Sequence, residues 1–171
     1  MEKIFISGSI SIKKLPDKAV EKLASIMEKG YEVLIGDAGG VDSRVQEILS
    51  NNGYSRVMVY HVGNQPRHNV GNWQTRSIIS QNRLKGRALY TLKDQAMAAD
   101  ASYGMMVWDG KSQGTFNNML EMRRLNKQFL IIRNGEEIRG SSIERLLQEK
   151  QAEQLELFPF SPTLGSSIVL P

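Results

Sequence analysis

The sequence predicts an α/β chain: a Rossmann-like, open, mainly parallel sheet flanked by helices. Three observations predict it. Short β-rich runs alternate with stretches of helical apolar spacing, the connections between most of them are brief, and glycine-bearing turns stand where strands pass into helices. Such an alternation builds parallel strands joined by right-handed crossovers.

The first run, Lys3–Ser7, stops at Gly8 as a buried strand would. Pro16-Asp17 opens an amphipathic segment in which Ala19, Val20, Leu23, Ala24, Ile26 and Met27 keep helical spacing, and Lys29-Gly30 ends it. Tyr31–Ile35 is the second strand, followed by the tight turn Gly36-Asp37-Ala38-Gly39-Gly40 and a helix from Val41 to Ser50. Arg56–His61 is the third strand, favoured by Val57, Val59 and Tyr60. Gly63 to Leu89 then reads as a long polar loop with one short helix around Gln74–Gln81, and long loops are often functional.

Order returns with a helix at Thr91–Ala99, a fourth strand at Met105–Trp108 and a second glycine turn from Asp109 to Gly114. A helix at Thr115–Asn126 and a fifth strand at Phe129–Ile132 follow. Ser142–Leu157 is a last amphipathic helix, capped by Ser141 or Ser142, with Glu144 in its first turn. Residues 1–140 therefore form the α/β domain, 141–158 a C-terminal helix, and 159–171, with three prolines, a tail expected to be flexible.

At 171 residues and 40% hydrophobic, the chain suits one domain with a proper core. The absence of cysteine excludes disulfides, thiolate metal sites and a cysteine nucleophile. His61 and His68 are too few for a typical histidine metal site, so neither a metal nor a cofactor is expected. There is no apolar stretch of about 18 residues for a membrane span. The run at the N-terminus is too short for a signal core, and a cytoplasmic protein is expected.

The net charge is only +4, but it is unevenly placed. No acidic residue lies between Arg56 and Lys93, a stretch that holds Arg67, Arg76, Arg83, Lys85 and Arg87 as well. Such a segment either offers phosphates a positive field or is a solvated loop facing acidic helices.

In open parallel sheets, ligands bind beyond the carboxyl ends of the strands. Both glycine turns stand at such ends. Glycine lets the backbone approach a phosphate or ribose, and the following helix N-terminus offers unpaired N–H groups. Thr115 adds a hydroxyl. Any strand-to-helix turn can carry glycine, so the pair of turns weighs more than either alone.

Ile6-Ser7-Gly8-Ser9, Gly36-Asp37-Ala38-Gly39-Gly40-Val41-Asp42 and the run from Ala99-Asp100 through Met106-Val107-Trp108-Asp109-Gly110 to Gly114-Thr115 resemble the SLOG superfamily. This group includes the lonely-guy phosphoribohydrolases and the Rossmann-like domain of DNA-processing protein A. The resemblance runs from Met1 to about Arg133. It implies nucleotides, nucleotide-derived signals or single-stranded DNA as ligands. Ser7, Gly8 and Ser9 would form the first loop of the pocket, Asp37, Gly39, Gly40 and Asp42 its second wall, and Gly110, Ser112, Gly114 and Thr115 the phosphate-facing turn. Where lonely-guy enzymes carry a catalytic glutamate, Asn118 stands, and an amide is no general base. Their arginine has no counterpart either, because Leu92-Lys93-Asp94 occupies its place.

The resulting expectation is a protein, not clearly an enzyme, that binds or senses a nucleotide-like small molecule and forms a homo-oligomer. An N-glycosidase or deoxyribosyltransferase would need another carboxylate, from Asp37, Asp42, Asp100 or Asp109. Single-stranded nucleic acid could bind along the acid-free segment, phosphates pairing with Arg67, Arg76 and Arg83 and a base stacking on Trp73, although Trp73 could equally pack beneath the loop. Finally, Gln154-Leu155-Glu156-Leu157-Phe158 resembles the short motif by which bacterial replication and repair proteins dock on the sliding clamp, with Leu155, Leu157 and Phe158 as apolar anchors.

Overall fold

Side chains along a strand alternate between its two faces, so a strand apolar on both must be covered on both. The first strand, β1 (Lys3–Gly8), shows this: Ile4, Phe5 and Ile6 are all buried. The computed structural model describes residues 1–79 and 84–157, the last four by backbone alone. They fall into two units, the first 1–140 and the second beginning at Ser141.

In the first unit β1 is followed by α1 (Asp17–Glu28), β2 (Glu32–Gly36), α2 (Val41–Asn51), β3 (Val57–Val62), β4 (Gln74–Ile78), α3 (Arg87–Asp100), β5 (Tyr103–Trp108), α4 (Gln113–Arg124), β6 (Gln128–Arg133) and β7 (Glu136–Arg139). The strands form one sheet in the order β4-β3-β2-β1-β5-β6-β7. All neighbours are parallel except β6 and β7. Ile6 of β1 pairs with Ile35 on one side and Met105 on the other. The chain thus builds outward from β1 in one direction, returns, and builds outward in the other. The border between β1 and β5 is the topological switch point.

Helices α1 and α2 cover one face. Ala19, Leu23, Val41, Val45 and Leu49 pack there with Ile4, Ile6, Val33, Ile35, Val59 and Val107. Helices α3 and α4 cover the other, where Met97, Phe116, Met119 and Met122 are buried and the Phe116 ring stacks on Trp108 at 5.5 Å. Truncating a fully buried leucine such as Leu23 to alanine costs about 2–5 kcal/mol in cores of this kind.

Two parts of the basic loop differ from the sequence expectation. In place of the helix expected around Gln74–Gln81, Gln74–Ile78 is strand β4, parallel to β3 with Tyr60 opposite Arg76, and residues 80 and 81 lie outside the described residues. β3 would otherwise leave an open edge, and pairing along that edge outweighs the weak local preference of a polar stretch. Helix α3 begins at Arg87, ahead of the expected Thr91. The connection from β3 is pinned down rather than loose. Buried Gln46 donates to the carbonyl of His68 and accepts from the N–H of Val70, at 3.2 and 3.1 Å. Trp73, partly buried, packs against the core and its indole N–H donates to the carbonyl of Tyr54 at 2.8 Å, the packing role that the sequence allowed beside base stacking.

Strand β7 was not expected. It closes a hairpin with β6 through Asn134-Gly135, whose φ angles of 51° and 76° suit the Asn-Gly pair. The second unit is the helix α5 (Ile143–Leu157). Among the described residues no helix is long and apolar enough to cross a membrane.

Candidate functional site

At the switch point, the end of β1, the start of α2, the inner face of α3 and the start of α4 enclose a crevice of about 570 Å³. Small-molecule sites commonly measure roughly 300–1,000 Å³. Ser7, Gly8, Asp42, Ser112, Gly114 and Thr115 all line it. Gly8 is required at its position: a Cβ there would lie 2.5 Å from Val41 Cγ2 and 2.6 Å from the Val107 carbonyl. Ser112 caps α4, accepting from the Thr115 N–H at 3.4 Å. Gly114 faces open space.

The remaining expected residues lie elsewhere. Ser9 is fully buried and belongs to the frame: its N–H donates to Val107 and its Oγ accepts from the Asp109 N–H, both at 3.0 Å. Gly39, Gly40 and Gly110 shape turns outside the crevice lining. Gly40, at φ 68°, passes so close to the Ile10 backbone that a side chain would overlap it. Asp37 is buried behind the crevice wall. Arg76 sits on β4 and pairs with Asp100, which also accepts the Tyr60 hydroxyl at 2.5 Å. Arg83 lies outside the described residues.

Asp109 accepts from the N–H groups of Lys111 and Ser112 at 2.8 and 2.7 Å and from Ser11 Oγ at 2.6 Å. Burial works against its charge, but these bonds and one from Ser9 win and pull its carboxyl down to about 2. Asp109 therefore holds the turn, as Asp100 holds β4 to α3.

The charged floor of the crevice joins Asp42 and the buried Asp37, both expected at the pocket, to Arg67, Lys93 and Asp94, which the sequence did not place in that pocket. Lys93 is only 4% exposed, with Nζ 3.5 Å from Asp37 Oδ1 and 3.7 Å from Asp94 Oδ1. Arg67 also clasps Asp37, its Nη2 2.8 Å from the same Oδ1 and its Nε 3.2 Å from Oδ2. Burial would raise the Asp37 carboxyl, but the hydrogen bonds from Arg67 and the charge of Lys93 hold it below its ordinary value. For Asp42 burial prevails and pushes the carboxyl up to about 6, against the charge of Lys93 and the Ala38 N–H. Burial likewise raises Asp94, opposed by Lys93 and Asn118. The cluster fits only because position 36 is glycine: a Cβ there would lie 2.5 Å from Asp42 Oδ2 and 2.7 Å from Lys93 Nζ.

A signal for this floor exists in the sequence. Tyr90, Lys93, Asp94 and Met97 recur at the i, i+3, i+4, i+7 spacing of one helix face, and all four line the crevice. The Arg67 guanidinium lies over the Tyr90 ring at 4.9 Å. Arg87, in the first turn of α3, also reaches the crevice and has no carboxylate partner among the described residues. From α4, Asn118 donates to Ser7 Oγ at 2.8 Å and to Asp94 Oδ2 at 3.2 Å. The crevice thus offers an anion the Arg87 cation and the α4 N-terminus at its rim, and offers donors a set of acceptors at its floor. Among the described residues, no group of three or more His, Asp or Glu is arranged to hold a metal ion.

No family model and no curated protein matches the sequence. Solved structures do. DNA processing protein A from Helicobacter pylori, studied for its single-stranded DNA binding mode, superposes with a TM-score of 0.61 at 16% identity, covering 88% of this chain and 73% of that one. DNA processing protein A from Streptococcus pneumoniae gives a TM-score of 0.63 at 19% identity, covering 87% of this chain and 56% of that one. This chain therefore spans little more than half of the S. pneumoniae protein. The chain has a Rossmann-like α/β fold similar to that of DNA processing protein A.

Proposed function

We propose that the crevice binds a nucleotide or nucleotide-derived ligand and that the protein acts as a binder or sensor of it. The observation that carries this reading is the convergence of the α4 N-terminus, Arg87 and the Lys93 cluster on one nucleotide-sized crevice at the switch point. The phosphate goes to the rim, where Arg87 and the positive end of the α4 dipole favour negative charge. It avoids the floor, where Asp37, Asp42 and Asp94 surround Lys93. Binding without turnover is favoured because Asn118 is an amide, no general base, and its N–H groups are held by Ser7 and Asp94.

A thermal-shift screen of the protein against nucleoside monophosphates, diphosphates and cyclic nucleotide signals tests this reading. A selective ligand at a hundred times its Kd adds about 2.7 kcal/mol of stability. No shift with any of them would overturn it. Release of free base over hours in the same samples would replace sensing with glycosidase chemistry.

A second reading, single-stranded DNA binding, is favoured by the likeness to the H. pylori protein. On this reading the crevice holds one nucleotide of a longer strand. Anisotropy titration of a labelled oligothymidylate, repeated at rising salt, tests it, because strand binding weakens steeply as counterions compete.

A further inference from the structure

Asp94 and Asn118 reach the crevice from different helices, α3 and α4, beside the end of β1. Asn118 is only 7% exposed, and both of its hydrogen bonds run from Nδ2, to Ser7 Oγ and Asp94 Oδ2. A carboxylate only accepts, so the amide is fixed with its nitrogen toward Asp94 and its carbonyl oxygen is left as an acceptor. No described residue donates to that oxygen. Asp94 supplies a second acceptor. Its Oδ1 lies 3.7 Å from Lys93 Nζ, longer than a good hydrogen bond. Its side chain is 26% exposed, against 1% for Asp37, which shares the same lysine.

Two acceptors side by side are complemented by two donors. A phosphate brings none and would meet a carboxylate. In a nucleotide, such neighbouring donors are the ribose 2′- and 3′-hydroxyls, common to every ribonucleotide, or the N1–H and N2 amine that guanine alone carries. We propose that Asp94 and Asn118 read the sugar, accepting the two hydroxyls of the diol, so that the crevice selects ribonucleotides over 2′-deoxyribonucleotides. This rests on the nucleotide reading above and gives it an orientation: phosphate at the rim, ribose against the α3–α4 wall.

The test is the affinity of the full chain for AMP, GMP, CMP and UMP and for the 2′-deoxy form of each, by calorimetry or competition. A hydroxyl bonded to a carboxylate predicts a ribose preference of about ten- to a hundredfold, similar for whichever bases bind. Asp94→Ala brings the ribo-to-deoxy ratio near one. Asp94→Asn, which keeps the size and one acceptor of the side chain, gives an intermediate ratio and guards against a folding defect in the alanine variant. Equal affinity for ribo and deoxy forms overturns the proposal and leaves the nucleotide reading standing. So does a preference among bases that ignores the sugar, which would give the acceptors to an exocyclic amine. Failure of all eight compounds to bind overturns both.

Discussion

Arg67 and Asp37 meet through three hydrogen bonds: the backbone N–H and Nε of Arg67 reach Oδ2 at 3.0 and 3.2 Å, and Nη2 reaches Oδ1 at 2.8 Å. The pair ties the β3–β4 connection to the glycine turn after β2, and it keeps a carboxylate that is 1% exposed in its charged form beside Lys93. Removing one member of a buried ion pair costs about 3–5 kcal/mol. Arg67 is 46% exposed, and solvent screening reduces the expected loss for Arg67→Ala to about 1–3 kcal/mol. Urea unfolding measures it; a loss under about 0.5 kcal/mol would show that water replaces Arg67 without cost.

Asp42 makes stability depend on pH in an unusual direction for a carboxylate. Its ordinary value of 3.8 is raised to about 6 by burial. Between those values the folded chain holds a proton that the unfolded chain has lost. The stabilisation is complete below about pH 4 and is lost as pH rises through about 6, a change of about 3 kcal/mol. Asp42→Asn lacks this titration. Wild-type stability minus that of the variant is therefore expected to fall by that order between about pH 4 and pH 7. A difference that stays flat across the range would mean that the buried carboxylate stays ionised throughout.

Two glycines at the crevice have opposite tolerances. Gly36→Ala drives a methyl into Asp42 and Lys93 and is expected to cost about 2–4 kcal/mol, with the crevice deformed. Gly114 faces open space in the first turn of α4, so Gly114→Val is expected to fold with a change of at most about 1 kcal/mol. Its side chain would nonetheless crowd the helix N-terminus, and nucleotide binding is expected to fall at least about tenfold. Thermal melts and the ligand titration, run on both variants, check the pair. Unchanged affinity in a folded Gly114→Val protein would move the ligand away from this turn.

The clamp-like segment makes a separate prediction. Gln154, Leu155 and Leu157 lie in the last turn of α5, and Phe158 lies outside the described residues. If the segment docks on a bacterial sliding clamp, the intact protein binds purified clamp at micromolar concentration, and Leu157→Ala with Phe158→Ala abolishes the binding. Equal binding by the variant, or none by either protein, removes the idea.

The sequence by itself determined the α/β class, the first three strands, the two helices between them and both glycine turns. These features are written locally: in apolar periodicity, in Pro16 and Gly30 at the ends of α1, and in glycines that the close approach of Gly8 to Val41 demands. The β6–β7 hairpin has a local signal too, in the Asn134-Gly135 pair at its turn. β4 was not legible. Its exposed residues carry no apolar alternation, and it is a strand because β3 offers an open edge. Asp37 and Asp42 were legible as pocket residues, but only the tertiary structure decided how the floor of the crevice is assembled and charged. Asp37, Asp42, Arg67, Lys93, Asp94 and Asn118 come from five segments of the chain, and their charges and pKa values follow from partners that the sheet brings within a few ångströms. Periodicity is a property of neighbours along the chain, whereas burial and ion pairing are properties of neighbours in space.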